Sequence, residues 1–213
     1  MAHKYKVLLY YKYVKITKAE NIKIKQRELC EKLNLKGRII ITNEGINGTV
    51  AGLTGSVDTY IAKTEKIKAL CGIEWKTSYS DQQVFPKLKI VVRDEIVTLD
   101  LKRTGKDVLI SQKAEYIEPS ELLELYENHK DFVIIDARNL YEANIGKFKN
   151  AVIAPIQNFR EFPEFAKKLK AYKKKEIITY CTGGIRCEKA SAYLRQNGFK
   201  KVRQLHGGIH EYA

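Results

Sequence analysis

The segment Tyr180-Cys181-Thr182-Gly183-Gly184-Ile185-Arg186-Cys187 joins an apolar, β-branched run to a helical pattern. A cysteine where a buried strand ends, two glycines, and an arginine where a helix begins together have the makings of an activated nucleophile. Gly183 and Gly184 let successive amides turn toward one point, and the helix N-terminus adds partial positive charge. Both favour thiolate over thiol and can hold an anion carried on the sulfur. Four residues, Thr182 to Ile185, separate Cys181 from Arg186. Cysteine phosphatases place one more residue between the two to cradle a tetrahedral phosphoryl group, and Cys187 stands where their arginine would be. The tighter loop suits a single outer sulfur atom. The competing reading is a structural cysteine packed at a strand end, which Gly-Gly followed so closely by Arg argues against.

The elements around this loop alternate. Glu118-Pro119-Ser120 opens a helix running through Asn128, with proline at its start. Phe132 to Asp136 and Glu176 to Tyr180 are short apolar runs typical of buried parallel strands. Helical patterns cover 162–172 and 187–197, the second ended by Asn197-Gly198, and 202–205 is a last strand. Strands alternating with helices predict a parallel sheet covered on both faces, with ligands expected at the carboxyl ends of its strands.

The first half reads differently. It has a strand over 5–16, a helix over 18–34 carrying Ile22, Leu29, Cys30 and Leu33, and a strand over 38–42. Asn43-Glu44-Gly45-Ile46-Asn47-Gly48 is a turn-rich connection between neighbouring antiparallel strands. A helix over 56–70, capped by Thr54 or Ser56, and strands over 74–79 and 88–99 complete the order β-α-β-β-α-β of a ferredoxin-like unit. The whole is therefore α/β, with a ferredoxin-like (acylphosphatase-like) domain over 1–100, a polar linker over 101–115 and a parallel-sheet domain over 116–213.

Composition narrows the function class. With 213 residues, 44% apolar and 30% charged, the chain can bury a core in each domain. No run approaches the ~18 apolar residues of a transmembrane helix. The N-terminus enters a strand pattern directly, without a secretion signal, and four unevenly spaced cysteines do not form a disulfide scaffold. A reducing cytoplasm is the expected setting. Basic residues exceed acidic ones by 14, and residues 1–113 hold 22 basic against 12 acidic groups. Such an excess fits a polyanionic partner, and equally a lysine-rich solvated surface.

Secondary candidates carry alternatives. Cys187 could resolve an oxidised or persulfidated Cys181, or pack as a small apolar residue. Cys30 and Cys71 suit core packing. His206 and His210 have no third ligand in view, so no metal site is expected. Tyr10, Tyr11 and Tyr13, with Lys12 and Lys15, make a basic-aromatic strand on which bases could stack.

Several segments together resemble a rhodanese domain over roughly 114–213: Ile135 to Glu142 (IDARNLYE), Ile145-Gly146-Lys147-Phe148, the loop 181–186, and Leu205-His206-Gly207-Gly208-Ile209. The resemblance implies Cys181 as a persulfide-forming nucleophile with Thr182, Gly183, Gly184, Ile185 and Arg186 as its loop. Asp136 and Arg138 match the family's Asp-x-Arg, as a buttress of that loop or as a salt bridge that only holds the fold. Gly37 to Ile41 leading into Asn43 to Thr49, joined to such a domain, is similar to the oxygen-dependent tRNA uridine hydroxylases. That similarity spans the chain. It implies hydroxylation of the wobble uridine to 5-hydroxyuridine, with molecular oxygen as co-substrate, tRNA as partner, no resident cofactor visible, and Cys181 required. Asn43, Glu44 and Asn47 become candidate RNA contacts, or simply shape the hairpin. Members of that family usually continue into a tail with further cysteines, which this sequence is expected to lack. The competing readings are a sulfurtransferase, with Cys181 passing sulfane sulfur to a thiol, cyanide or tRNA, and a non-catalytic RNA-binding module.

Overall fold

The computed structural model describes residues 4–101 and 107–212. The chain divides between Ile96 and Val97 into two compact units.

The first unit holds β1 (Tyr5–Tyr13), α1 (Ala19–Lys32), β2 (Lys36–Thr42), β3 (Gly45–Leu53), α2 (Thr54–Glu65), β4 (Glu74–Ser80) and β5 (Leu88–Val92). The sheet order is β4-β1-β3-β2-β5. The first four strands pair antiparallel, while β5 adds a fifth strand parallel to β2. Alternation along β1 sends Leu8 and Tyr10 into a core with Ile39, Ile41, Val50, Cys30, Val57 and Tyr60. Tyr60 donates to Gln26, shares a hydrogen bond with Tyr10, and all three side chains are buried.

Several local expectations shift. The turn between β2 and β3 is confined to Asn43-Glu44, because Gly45 to Gly48 already pair with Tyr10 to Tyr13 on β1 and with Ile39 to Thr42 on β2. Neither Thr54 nor Ser56 caps α2, whose N-cap is Leu53; the Thr54 hydroxyl instead reaches the Lys4 carbonyl. Cys71 is exposed rather than packed.

The second unit holds β6 (Glu115–Ile117), α3 (Pro119–Glu127), β7 (Val133–Asp136), α4 (Leu140–Ile145), β8 (Val152–Ile153), α5 (Phe162–Lys168), β9 (Glu176–Tyr180), α6 (Ile185–Gln196), β10 (Lys201–Leu205) and α7 (Ile209–Tyr212). Its five strands are parallel in the order β6-β10-β9-β7-β8. The apolar runs are continuous because both faces are covered. Ile135 and Ile177 face Phe162, Phe165, Ala190 and Leu194. Their neighbours Ile134 and Ile178 face Leu122, Phe148 and Leu205. Truncating Ile178 to Ala is expected to cost about 2–5 kcal/mol.

Of the segment read as linker from its polarity, residues 102–106 lie outside the described residues. Val108 and Ala114 are buried in the second core, and the Ala114 amide donates to Ser191 Oγ at 3.0 Å.

Candidate active site

From β7 the chain moves outward to β8, and from β9 it moves the opposite way to β10. The carboxyl ends of β7 and β9 therefore flank a topological switch point, where open α/β sheets leave a crevice. Asp136 closes β7, and Cys181 follows β9 directly.

The loop 181–184 is short because α6 begins at Ile185, earlier than its apolar pattern suggests, with Gly184 as N-cap. Gly184 has φ +98°, a conformation that a Cβ strains. That twist points its amide at Cys181 Sγ, 3.1 Å away. The amides of Arg186 and Cys187, and the Cys187 thiol, also hydrogen-bond the sulfur. The far side of the loop is held by α7, where Ile209 N donates to Cys181 O at 2.9 Å and His210 N to Thr182 O at 3.1 Å. Gly208 permits this approach, since a Cβ there would sit 2.5 Å from Cys181 O.

The sulfur is fully buried, enclosed by polar donors. Burial alone would push the Cys181 thiol up. The Cys187 hydrogen bond, the Arg186 charge and the amides outweigh burial and bring it well below the ordinary thiol value. Burial and the adjacent anionic sulfur push Cys187 the other way, so it keeps its proton. Behind it, the Thr179 hydroxyl hydrogen-bonds Cys187.

Arg186 does not reach outward. Its guanidinium makes a two-pronged pair with Glu142, each prong 2.7 Å, and meets Thr182 Oγ1 at 3.0 Å. Thr182 in turn donates to Glu142 at 2.7 Å. Glu142 is half-sequestered, which would raise its carboxyl, but Arg186, Thr182 and the Asn139 amide hold it down at about 2. Arg186 thus lends Cys181 its charge while its donors are spent on Glu142. Sequence reasoning gave Glu142 no separate role; the signal was its place three residues after Asn139, where a helix-capping glutamate sits beside the loop.

Asp136 and Arg138 form a buried pair with contacts of 2.7–3.2 Å. Tyr180 donates to Asp136 at 2.6 Å, and Arg138 also holds the Gly146 carbonyl at 2.6 Å. The pair therefore fixes the residue immediately before the nucleophile. The three candidates from the first unit belong to its β2–β3 hairpin. Asn43 is exposed on the hairpin turn, Glu44 accepts from the Ile96 amide at 2.6 Å, and Asn47 is half-buried on β3 between Tyr11 and Ile40. A cavity of about 640 Å³ is lined by Tyr126, Lys130, Phe132, Phe148, Lys149 and Tyr212 among others; none of residues 181–186 lines it. Among the described residues no cluster of His, Cys, Asp and Glu could hold a metal ion.

A thiolate cup between β9 and α6 of a five-stranded parallel sheet defines a rhodanese-like domain, and the model of that name, "Rhodanese-like domain", matches residues 118–213. Residues 5–96 match the "UPF0176 acylphosphatase like domain". A protein of Aster yellows witches'-broom phytoplasma named tRNA uridine(34) hydroxylase is 43% identical over 98% of this chain and 67% of its own length. The Staphylococcus carnosus protein of the same name is 43% identical over 98% of this chain and 65% of its own. The chain belongs to this tRNA uridine(34) hydroxylase family, and it spans about two thirds of the length of these relatives. Among solved structures, a rhodanese-related protein from Thermoplasma volcanium matches 46% of this chain and 89% of its own at 28% identity, with a TM-score of 0.39.

Proposed function

We propose that this chain carries the oxygen-dependent hydroxylation of the wobble uridine of tRNA to 5-hydroxyuridine, with Cys181 as the catalytic residue. The observation that carries the reading is a buried sulfur held by backbone amides close to the Arg186 charge at the switch point, in a chain whose relatives bear the hydroxylase name. Molecular oxygen is the co-substrate in this reading. A cytoplasmic setting suits both tRNA and free thiols, and no described helix is long and apolar enough to cross a membrane.

The first unit supplies a surface suited to RNA. On the sheet face opposite Leu8 and Tyr10, strand register lines up Leu9, Thr49, Arg38 and Lys89 beside Tyr11, Asn47 and Ile40. Arg38 and Lys89 are exposed and Tyr11 is half-buried. Cations for phosphates and rings for bases on one sheet are the ingredients of single-strand binding. Affinity for tRNA is expected to fall steeply between about 50 and 200 mM salt.

The test is nucleoside mass spectrometry of unmodified tRNA incubated in air with the chain and a thiol reductant. Formation of 5-hydroxyuridine, lost under nitrogen and in Cys181→Ser, supports the reading. A thiolated uridine, or sulfur transfer from thiosulfate without hydroxylation, would replace it with the sulfurtransferase reading that the tight loop also suits. Complementation of a deletion strain by Cys181→Ser would remove the cysteine from the mechanism altogether.

A further inference from the structure

Two thiols meet in this site. Cys187 lies on the first turn of α6, both side chains are fully buried, and the Cys187 thiol hydrogen-bonds the Cys181 sulfur. Both are free cysteines. One is poised as a nucleophile and the other keeps a transferable proton, so the pair is chemically asymmetric. The loop is closed over them by the Arg186–Glu142–Thr182 bridge and by α7, which leaves Cys187 as the thiol placed to reach an oxidised Cys181.

Hydroxylation of a carbon by molecular oxygen places one oxygen atom in the product and the other in water, and it requires two electrons and two protons. A dithiol that closes to a disulfide releases that number of each. We propose that Cys187 is a second catalytic residue, the resolving thiol that lets the Cys181–Cys187 pair supply the two reducing equivalents of each turnover. The balance is uridine C5–H plus O₂ plus two thiols, giving C5–OH, water and one disulfide. In the step assigned to Cys187, Cys181 carries the second oxygen atom as a sulfenic acid, S–OH. The Cys187 sulfur attacks the Cys181 sulfur, the S–O bond breaks, and hydroxide leaves with the Cys187 proton as water. An external thiol then reduces the disulfide and resets the pair. This proposal rests on the hydroxylase reading for its oxygen balance.

The experiment separates the two. In a Cys71→Ser background, which removes the exposed thiol, the reduced chain is treated with one equivalent of hydrogen peroxide and digested with trypsin. Cleavage after Arg186 puts Cys181 and Cys187 in different peptides. The expected result is a cross-linked pair lacking two hydrogens, whereas Cys187→Ser accumulates a dimedone-trapped sulfenic acid on Cys181. A sulfenic acid that persists equally in both chains, with no cross-link, overturns the proposal whatever the chain does to tRNA. In single turnover without external thiol, the parent chain and Cys187→Ser are both expected to yield about one 5-hydroxyuridine per chain, the parent ending as the Cys181–Cys187 disulfide and Cys187→Ser as a Cys181 sulfenic acid that dimedone traps. A parent chain that ends the turnover with a dimedone-trapped Cys181 and no disulfide also overturns it. Failure of the parent chain even with dithiothreitol counts against the hydroxylase reading, and the peroxide experiment still decides the thiol pair.

Discussion

Cys30 in the first unit and Cys181 in the second are both wholly sequestered from solvent, and their chemistry diverges completely. Around Cys30, burial and the nearby Glu31 carboxylate push the thiol up to about 12, against a smaller opposing pull from Arg27. Around Cys181, the same burial is overcome because a thiol and amides are aimed at the sulfur and the Arg186 charge lies close by. Depth in the protein does not decide whether a cysteine is reactive. The orientation of the dipoles at its sulfur does, and that orientation comes from a glycine cap and a helix start.

The comparison breaks most visibly by substitution of the sulfur itself. Cys181→Ser is expected to leave no detectable 5-hydroxyuridine, and Cys30→Ser to retain activity within about twofold, as read by nucleoside mass spectrometry. Next in size is the cap. Gly184→Ala forces a Cβ onto a φ of +98°, at a cost of roughly 1–2 kcal/mol if the twist is kept. If the twist relaxes, its amide leaves the sulfur, and the rate of Cys181 alkylation by iodoacetamide at pH 6 is expected to drop about tenfold. An unchanged rate would mean that the amide contributes nothing to ionisation.

The pH profile of alkylation in the parent chain sharpens the contrast. Thiolate forms as pH rises through the thiol's pKa, so Cys181 is expected to react well below pH 9.0, the ordinary thiol value, while Cys30 stays inert across that range. In the first unit, Tyr60→Phe strips the hydroxyl that joins Tyr10 to Gln26 and is expected to lower stability by about 1–3 kcal/mol in urea unfolding, with no effect on Cys181 reactivity.

The smallest effect concerns the bridge. The Glu142 carboxyl has an ordinary value of 4.5 and is held at about 2 in the folded chain. Its pairing therefore contributes stability that is fully present above pH 4.5 and is lost as pH falls toward 2. Glu142→Gln is expected to be less stable at neutral pH and to show a flatter dependence across that window in thermal melts.

Much of this architecture is legible in one sequence because it is written in local patterns. The runs Phe132–Asp136 and Glu176–Tyr180 announce buried parallel strands, and Cys181-Thr182-Gly183-Gly184 announces the cup. What escaped is what depends on distant partners. Glu142 reads as an ordinary helix-surface carboxylate until Arg186 folds against it. The strand expected over 88–99 is present but ends at Val92, and its place beside β2, parallel to it, rests on a pairing register that no local pattern shows. The polar stretch before residue 115 looked like pure linker because Val108 and Ala114 are isolated apolar residues whose burial is set by the second core.

The hold of Ile209 and His210 on the carbonyls of Cys181 and Thr182 has a consequence for biosynthesis. A ribosome places the cysteine twenty-eight residues before Ile209, so the nascent chain carries the sulfur for about 1–6 s before its last clamp is made. During that interval the loop lacks the two donors that hold its carbonyls, and its geometry is complete only when synthesis has supplied residues 209 and 210.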